Sequence, residues 1–340
     1  MRVAPTLAIV VPCYNEEAVL PETRRRLVNL LGELATANKI SSNSAVYFVD
    51  DGSRDSTWPL IERFAAEDKC VTGLKLSRNR GHQNALLAGL FAAEGDAIVS
   101  IDADLQDDLD AIGEMVDRFC TGAEIVYGVR LRRAVDSPFK RLSAELFYRL
   151  FAALGAELIH NHADYRLMSR RAVEALKEYH EVNLYLRGIV PLLGFRSEIV
   201  HYERAKRFAG ESKYPLRKMI ALALDAVTSF SVAPLRLIAI LGVLVFVGTM
   251  LVSGWVLWAR LFSNRTVPGW ASILLPVYFI GGIQIFCIGM LGEYLGKIYK
   301  EVKARPRYAI EKMASMDAQS ATQRPQASSP GRVEGAHYDH

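Results

Sequence analysis

Two stretches of this chain restrict its fold more than any others. Leu237–Ala259 and Trp270–Gly292 each run 23 residues without an Asp, Glu, Lys or Arg. As helices they would be about 35 Å long, enough for a hydrocarbon core of about 30 Å. A water-soluble fold would have to cover two such helices on every side, whereas a bilayer is itself the apolar solvent. The connector Arg260–Gly269 makes them a hairpin, and Trp255, Trp258 and Trp270 gather near its shared end, where interfacial aromatics belong. Basic residues are denser outside the hairpin: Lys206, Arg207, Lys213, Arg217, Lys218 and Arg236 precede it, and Lys297, Lys300, Lys303, Arg305 and Arg307 follow it. Against the two arginines of the connector, this bias predicts a multi-pass protein of the cytoplasmic membrane with both termini in the cytoplasm. Gly281, Gly282 and Gly289 offer small-residue faces on which a homo-oligomer could pack.

The N-terminal part reads differently. Short apolar runs at Leu7–Val11, Val46–Asp50, Val71–Leu76, Ala97–Asp102 and Ile125–Val129 alternate with helical patterns at Glu17–Ala35, Thr57–Ala66, His82–Ala93 and Ala111–Cys120. Continuous apolar strands in such alternation predict an α/β fold, a mostly parallel sheet covered on both faces. Ligands of these sheets bind beyond the carboxyl ends of the strands. The organisation expected is a domain over 1–215, a juxtamembrane helix over 216–233, the hairpin over 234–295 and a basic segment with a tail over 296–340. Leu216–Ser231 carries a helical apolar stripe that suits either the membrane surface or the domain's own flank. From about Met316 onward, Ser, Gln, Ala and Pro dominate, a composition of disordered chain.

Composition excludes several classes. Net charge is only +4 in 340 residues, and no arginine-rich or lysine-rich block stands out, so no nucleic-acid partner is expected. The four cysteines lie far apart without a CxxC pair, which argues against a zinc site or disulfide framework. Leu7–Val11 is too short for the apolar region of a secretory leader, so none is expected. No GxGxxG follows the first strand, which disfavours a dinucleotide-binding dehydrogenase.

The chemistry concentrates in SIDADLQDDLD, where five carboxylates fall between Asp102 and Asp110 behind a buried strand. Asp102 and Asp104 at a ligand-binding edge offer hard oxygens to Mg2+ or Mn2+, and Gln106 could add a neutral one. Such an ion keeps waters and substrate phosphates in its remaining positions, which points to a diphosphate. Asp107, Asp108 and Asp110 are expected instead to charge the start of the next helix.

In order along the chain stand VVPCYNEE (10–17), VDDGSRDST (49–57), SRNRGHQNALLAG (77–89), DADLQDD (102–108), ADYRLMSR (163–170) and RFAGESKY (207–214). Together with the hairpin, these resemble family 2 glycosyltransferases of the polyprenyl-phosphate type, which include dolichol-phosphate mannosyltransferases and bactoprenol glucosyltransferases. The resemblance covers about residues 5–305. It implies a GT-A fold and assigns Pro12, Tyr14, Glu16, Val49 and Asp51 to the donor's nucleoside. It further places Asp102, Ala103 and Asp104 along the diphosphate, with Asp104 and Gln106 on the metal. Arg207 and Lys213 would close over the leaving diphosphate; the alternative for these cations is a basic patch facing anionic lipid. On the acceptor side the resemblance gives Arg130, then Lys140 or Arg141 and Ser143 in an amphipathic helix at Phe139–Leu154. Asp164 stands as a catalytic base or a ligand of sugar hydroxyls, or alternatively as a partner of Arg166.

The implied reaction is inverting transfer of a hexose from a nucleotide diphosphate sugar to polyprenyl (undecaprenyl) phosphate. UDP-glucose is favoured as donor; GDP-mannose, a UDP-N-acetylhexosamine or an aminoarabinose derivative are the alternatives. A processive polysaccharide synthase would carry QxxRW, and none of the four tryptophans is preceded by it. A non-enzymatic lipid-binding scaffold would not need carboxylates at three strand ends.

Overall fold

The computed structural model describes residues 4–130, 162–181, 186–203 and 271–316, with scattered positions between 238 and 258. Its centre is one eight-stranded sheet in the order β7-β5-β6-β4-β1-β2-β3-β8. The strands are β1 (Leu7–Cys13), β2 (Ala45–Asp50), β3 (Val71–Leu76), β4 (Ala97–Ser100), β5 (Ile125–Arg130), β6 (His162–Ser169), β7 (Ser197–Tyr202) and β8 (Ile310–Ala314). The β1–β2, β2–β3, β1–β4 and β5–β7 pairs are parallel; β6 and β8 run antiparallel to their neighbours.

Successive residues of a strand face opposite sides, so a strand apolar throughout must be covered twice. In β1, Leu7, Ile9 and Val11 join a core beneath α1 (Leu20–Thr36), α2 (Thr57–Glu67) and α4 (Ala111–Cys120). Ala8 and Val10 join a second core beneath α3 (His82–Ala92), α5 (Arg170–Lys177) and α6 (Leu186–Leu192). α3 sits so close to the sheet that a Cβ on Gly89 would lie 2.3 Å from Val10 Cγ1 and 2.8 Å from Val49 Cγ2.

The five expected strands and four expected helices of the N-terminal part are all present, with shifted ends. α1 begins at Leu20 rather than Glu17 because the chain before it is engaged elsewhere. Glu16 N–H donates to Thr57 Oγ1 at 2.9 Å, and Glu17 Oε2 accepts from Ser56 N–H at 2.9 Å. Pro21 in the first turn then costs no helical hydrogen bond. β4 stops at Ser100, two residues short of Asp102, which leaves both acidic residues of DAD in the loop beyond it.

β6, β7 and β8 were not expected. β6 carries Asp164 and Arg166 in its interior and β7 alternates as an edge strand, so neither reads as an apolar run. β8 comes from the basic segment after the second apolar stretch and adds an antiparallel edge to β3, with Glu311 3.2 Å from Lys75 Nζ. Before it, α7 (Ala271–Val302) is a single helix of 32 residues that contains most of that stretch. The positions described within 237–259 are all helical. Judged on the described residues, no helix is long and apolar enough to cross a membrane. The juxtamembrane helix, the connector and the tail beyond residue 316 lie outside the described residues.

Candidate active site

The strand order reverses between β1 and β4. From β1 the chain winds through β2 to β3 on one side, and β4 lies on the other. The carboxyl ends of such a pair diverge into a crevice, the usual ligand position of an open α/β sheet. Pro12 sits at this point for a reason visible in the ladder. Cys13 C=O accepts from Asp51 N–H toward β2, and Val10 C=O accepts from Ile101 N–H toward β4. Pro12, in phase with Val10, faces β4 where the pairing has already ended at Val10–Ser100, so its missing N–H breaks no ladder bond.

Loops from four strands meet at this edge. After β1, Tyr14 is 42 % exposed and Asn15 takes a positive φ of 55°, a conformation that asparagine tolerates. Asn15 is stitched to the loop after β2 in both directions: its N–H donates to Ser53 Oγ at 3.0 Å and its Oδ1 accepts from Arg54 N–H at 2.9 Å. Asp51, at the end of β2, is buried and accepts from the N–H groups of Arg80 (2.6 Å) and Gly81 (2.9 Å), fixing the turn into α3. A side chain at Gly52 would meet the backbone of Arg78 and Asn79 at 2.6–2.9 Å, so that turn needs a glycine. Val49 and Pro12 are paired across the strands, with Val49 fully buried against α3. Asp50 caps the turn at Ser53 N–H, and burial raises its pKa.

After β4 comes the acidic loop. Asp104 Oδ1 accepts from Gln106 N–H at 3.2 Å, and Leu105 between them is held at φ 56°, strain of the kind found at binding loops. Ala103 and Gln106 are buried. Burial raises the carboxyl pKa of Asp102; His82 opposes this, and the negative charges of Asp107, Asp164 and Asp104 add to it.

The antiparallel strand β6 completes the edge. Its register pairs Ser100 with Arg166, and Ser100 Oγ donates to Asp164 C=O at 2.5 Å, so Asp164 lies beside the end of β4 from which the acidic loop leaves. Arg166, 2 % exposed, donates to Asp164 Oδ1 at 2.5 Å. Arg187, from α6, grips the same carboxylate with Nε at 3.4 Å and Nη2 at 3.2 Å. His82 Nε2, at the start of α3, lies 3.5 Å from Asp102 Oδ1 and 3.8 Å from Asp164 Oδ2. Burial would raise the Asp164 pKa, but Arg166, Arg187 and His82 outweigh it and bring it to about 2. A carboxylate so stabilised is a poor proton acceptor near neutral pH.

Of the residues singled out in the sequence, Pro12, Tyr14, Glu16, Val49, Asp51, Asp102, Ala103, Asp104, Gln106 and Asp164 thus stand on one edge. Arg130 stands at the end of β5, joined to the acidic loop through Asp107. Asp107 does not charge the start of α4 as expected, because its side chain is buried beneath Arg130 and Tyr202. Lys140, Arg141, Ser143, Arg207 and Lys213 lie outside the described residues. Sequence reasoning missed His82, Arg187, Tyr202 and the placement of Asp107. Only His82 had a signal, its position directly after Gly81 in SRNRGHQN.

Residues 8–177 match the model of "Glycosyl transferase family 2". The chain belongs to that family. It is 50 % identical over 309 residues to the uncharacterized glycosyltransferase YkoT of Bacillus subtilis, covering 90 % of this chain and 91 % of YkoT. It is 39 % identical to the SfII prophage-derived bactoprenol glucosyl transferase of Shigella flexneri, over 90 % of this chain and 97 % of that one. The prophage bactoprenol glucosyl transferase homolog of Escherichia coli is 38 % identical over 90 % and 99 %. Among solved structures, glucosyl-3-phosphoglycerate synthase from Mycobacterium tuberculosis aligns with a TM-score of 0.43 at 19 % identity, over 66 % of this chain and 76 % of that one. This family 2 glycosyltransferase carries its acidic loop at the strand-order reversal of a mostly parallel α/β sheet.

Among the described residues, no group of three or more His, Cys, Asp or Glu side chains could by itself hold a metal ion. The carboxylates after β4 nevertheless fit a divalent cation of the kind that draws only one or two ligands from protein. Burial is the main cause of the raised Asp102 pKa; Asp107, Asp164 and Asp104 add negative charge around it, the kind of edge that a cation suits.

Proposed function

We propose that this glycosyltransferase moves a hexose from a nucleotide diphosphate sugar, UDP-glucose for preference, to a polyprenyl phosphate at the cytoplasmic face of a membrane, inverting the anomeric carbon. The observation that carries the reading is the position of Asp102 and Asp104 at the strand-order reversal, in a chain that aligns with bactoprenol glucosyl transferases over nearly their whole length. Membrane residence is supported by Leu251, Trp255, Trp258, Ile273, Ile285 and Ile288, each 61 % or more exposed, within the two charge-free runs. A soluble surface does not carry so many large apolar side chains together.

Asp102, Asp104 and Gln106 would hold Mg2+ or Mn2+, which supplies charge neutralisation for the departing diphosphate. Tyr14 offers the donor's base a flat apolar face, while Glu16 and Asp51 offer carboxylate acceptors for its hydroxyl and N–H groups. Arg207 and Lys213 add cations to the leaving group as it departs. The acceptor needs little help to become nucleophilic, because a phosphate monoester with a second pKa of about 6 is already largely dianionic at neutral pH. Asp164 accordingly acts here as the anchor of Arg187 and His82 at the edge, and catalysis rests on positioning and charge.

Calorimetric titration of UDP-glucose with and without Mn2+ tests the donor half of the reading. Binding should tighten at least tenfold with the ion in wild type, and Asp104→Ala should lose both that enhancement and transfer. Equal affinity with and without Mn2+, or an Asp104→Ala enzyme of wild-type activity, would count against it.

A further inference from the structure

Arg130 ends β5 and Tyr202 ends β7, and the parallel register sets them side by side. Tyr202 Oη donates to Asp107 Oδ1 at 2.6 Å and accepts from Arg130 Nε at 2.9 Å. Arg130 Nη2 donates to the same Asp107 oxygen at 3.2 Å, closing a three-membered ring of hydrogen bonds. The Asp107 side chain is 1 % exposed and that of Arg130 is 29 % exposed. The ring of Tyr202 packs edge-on against Tyr165 at 5.1 Å, and Tyr165 Oη donates to Asp108 C=O at 2.7 Å. Two tyrosines thus bolt the acidic loop to the ends of β5, β6 and β7.

This arrangement does to Arg130 what a free arginine cannot do for itself. A solvent-exposed guanidinium samples many rotamers and loses that freedom on each binding event. Here Nε and one Nη2 hydrogen are committed on the buried side, so the plane of the group is set. Roughly three of its five N–H donors remain to present to a second anion. The buried face is charge-compensated by Asp107, and the accessible part of the side chain lies on the same edge as Asp102 and Asp104.

We infer that Tyr202 and Asp107 are positioning residues that hold Arg130 ready for the acceptor's phosphate and key it to the loop that serves the donor. The inference rests on the polyprenyl-phosphate reading above. Neither residue touches substrate; both act through Arg130. The shared loop explains why a carboxylate is tolerated beside a phosphate-binding arginine: it orients the cation from behind and leaves its forward donors to the acceptor.

The test is steady-state kinetics of the full chain in lipid nanodiscs, with UDP-glucose, Mn2+ and a short polyprenyl phosphate. Tyr202→Phe keeps the ring against Tyr165 and removes only the hydroxyl. It should raise the acceptor KM about tenfold, the effect of losing one hydrogen bond to a charged group, with donor KM within about twofold of wild type. Asp107→Asn should shift the acceptor KM in the same direction, which guards against a fold-specific failure of the first variant. In an Arg130→Gln background, Tyr202→Phe should add less than about twofold, because its only route to the acceptor is gone. An unchanged acceptor KM, an equal rise in donor KM, or effects that multiply in the double variant would overturn the inference while leaving the acceptor reading intact. If the wild-type protein transfers no sugar to any polyprenyl phosphate, the acceptor reading falls and takes this inference with it.

Discussion

Asp164→Asn separates an anchoring carboxylate from a catalytic base. The substitution keeps the side chain's shape and removes its charge. In the wild-type protein Arg166 is 2 % exposed and meets Asp164 at 2.5 Å, while Arg187 meets the other oxygen at 3.2 Å. Burial opposes the ionised form, yet the cations carry the pKa from 3.8 down to about 2. At roughly 1 kcal/mol or more per pH unit, that difference corresponds to stability on the order of 2–3 kcal/mol. The folded-state value is depressed, so this stability is fully present above about pH 4 and is lost as the pH falls toward 2. The asparagine variant forfeits it and also leaves the Arg166 guanidinium without a buried counter-charge, so the expected cost is about 3–5 kcal/mol. For a domain of this size that lowers the thermal midpoint by roughly 6–20 °C at pH 7. Differential scanning fluorimetry from pH 7 to pH 3 measures it, and the gap between wild type and variant should narrow at the acid end. A midpoint within 2 °C of wild type at pH 7, or a gap indifferent to pH, would refute the anchoring argument. A catalytic base would instead show as a lost acid limb in kcat with little change in stability.

Other expectations follow from particular contacts. Gly89→Ala places a methyl against Val10 and Val49 with no room between α3 and the sheet, and should cost about 1–3 kcal/mol in urea denaturation. Asp51→Ala orphans the N–H groups of Arg80 and Gly81; hydrogen exchange at those two amides should accelerate, and the donor KM should rise about tenfold.

The alternating α/β units were legible because a parallel strand buried on both faces reads as a near-continuous apolar run, as β1 does throughout and β2 and β4 do up to Asp50 and Ser100 at their ends. The position of the acidic loop followed from that alone, since DAD comes directly after such a strand. β6 was hidden because its interior carries Asp164 and Arg166, a pair tolerated there only because they neutralise each other across the buried edge. That strand inserts between β4 and β5 and runs against both, a non-local pairing to which no periodicity testifies. β8 was hidden for a similar reason: Ile310–Ala314 is short, mostly exposed and far along the chain from its partner β3. Asp107 illustrates a different limit. Three aspartates just before a helix suit its positive end, and only the arrival of Tyr202 from β7 shows that one of them is committed to Arg130.

If sugar leaves a nucleotide and arrives on a lipid phosphate, label on the sugar must follow it into the lipid. Incubating the protein with radiolabelled UDP-glucose, a short polyprenyl phosphate and Mn2+, then partitioning into organic solvent, measures this directly. Label should enter the lipid phase and should disappear with a chelator and with Asp104→Ala. Label that stays in the aqueous phase with every nucleotide sugar, or lipid labelling that persists in the chelator, would contradict it.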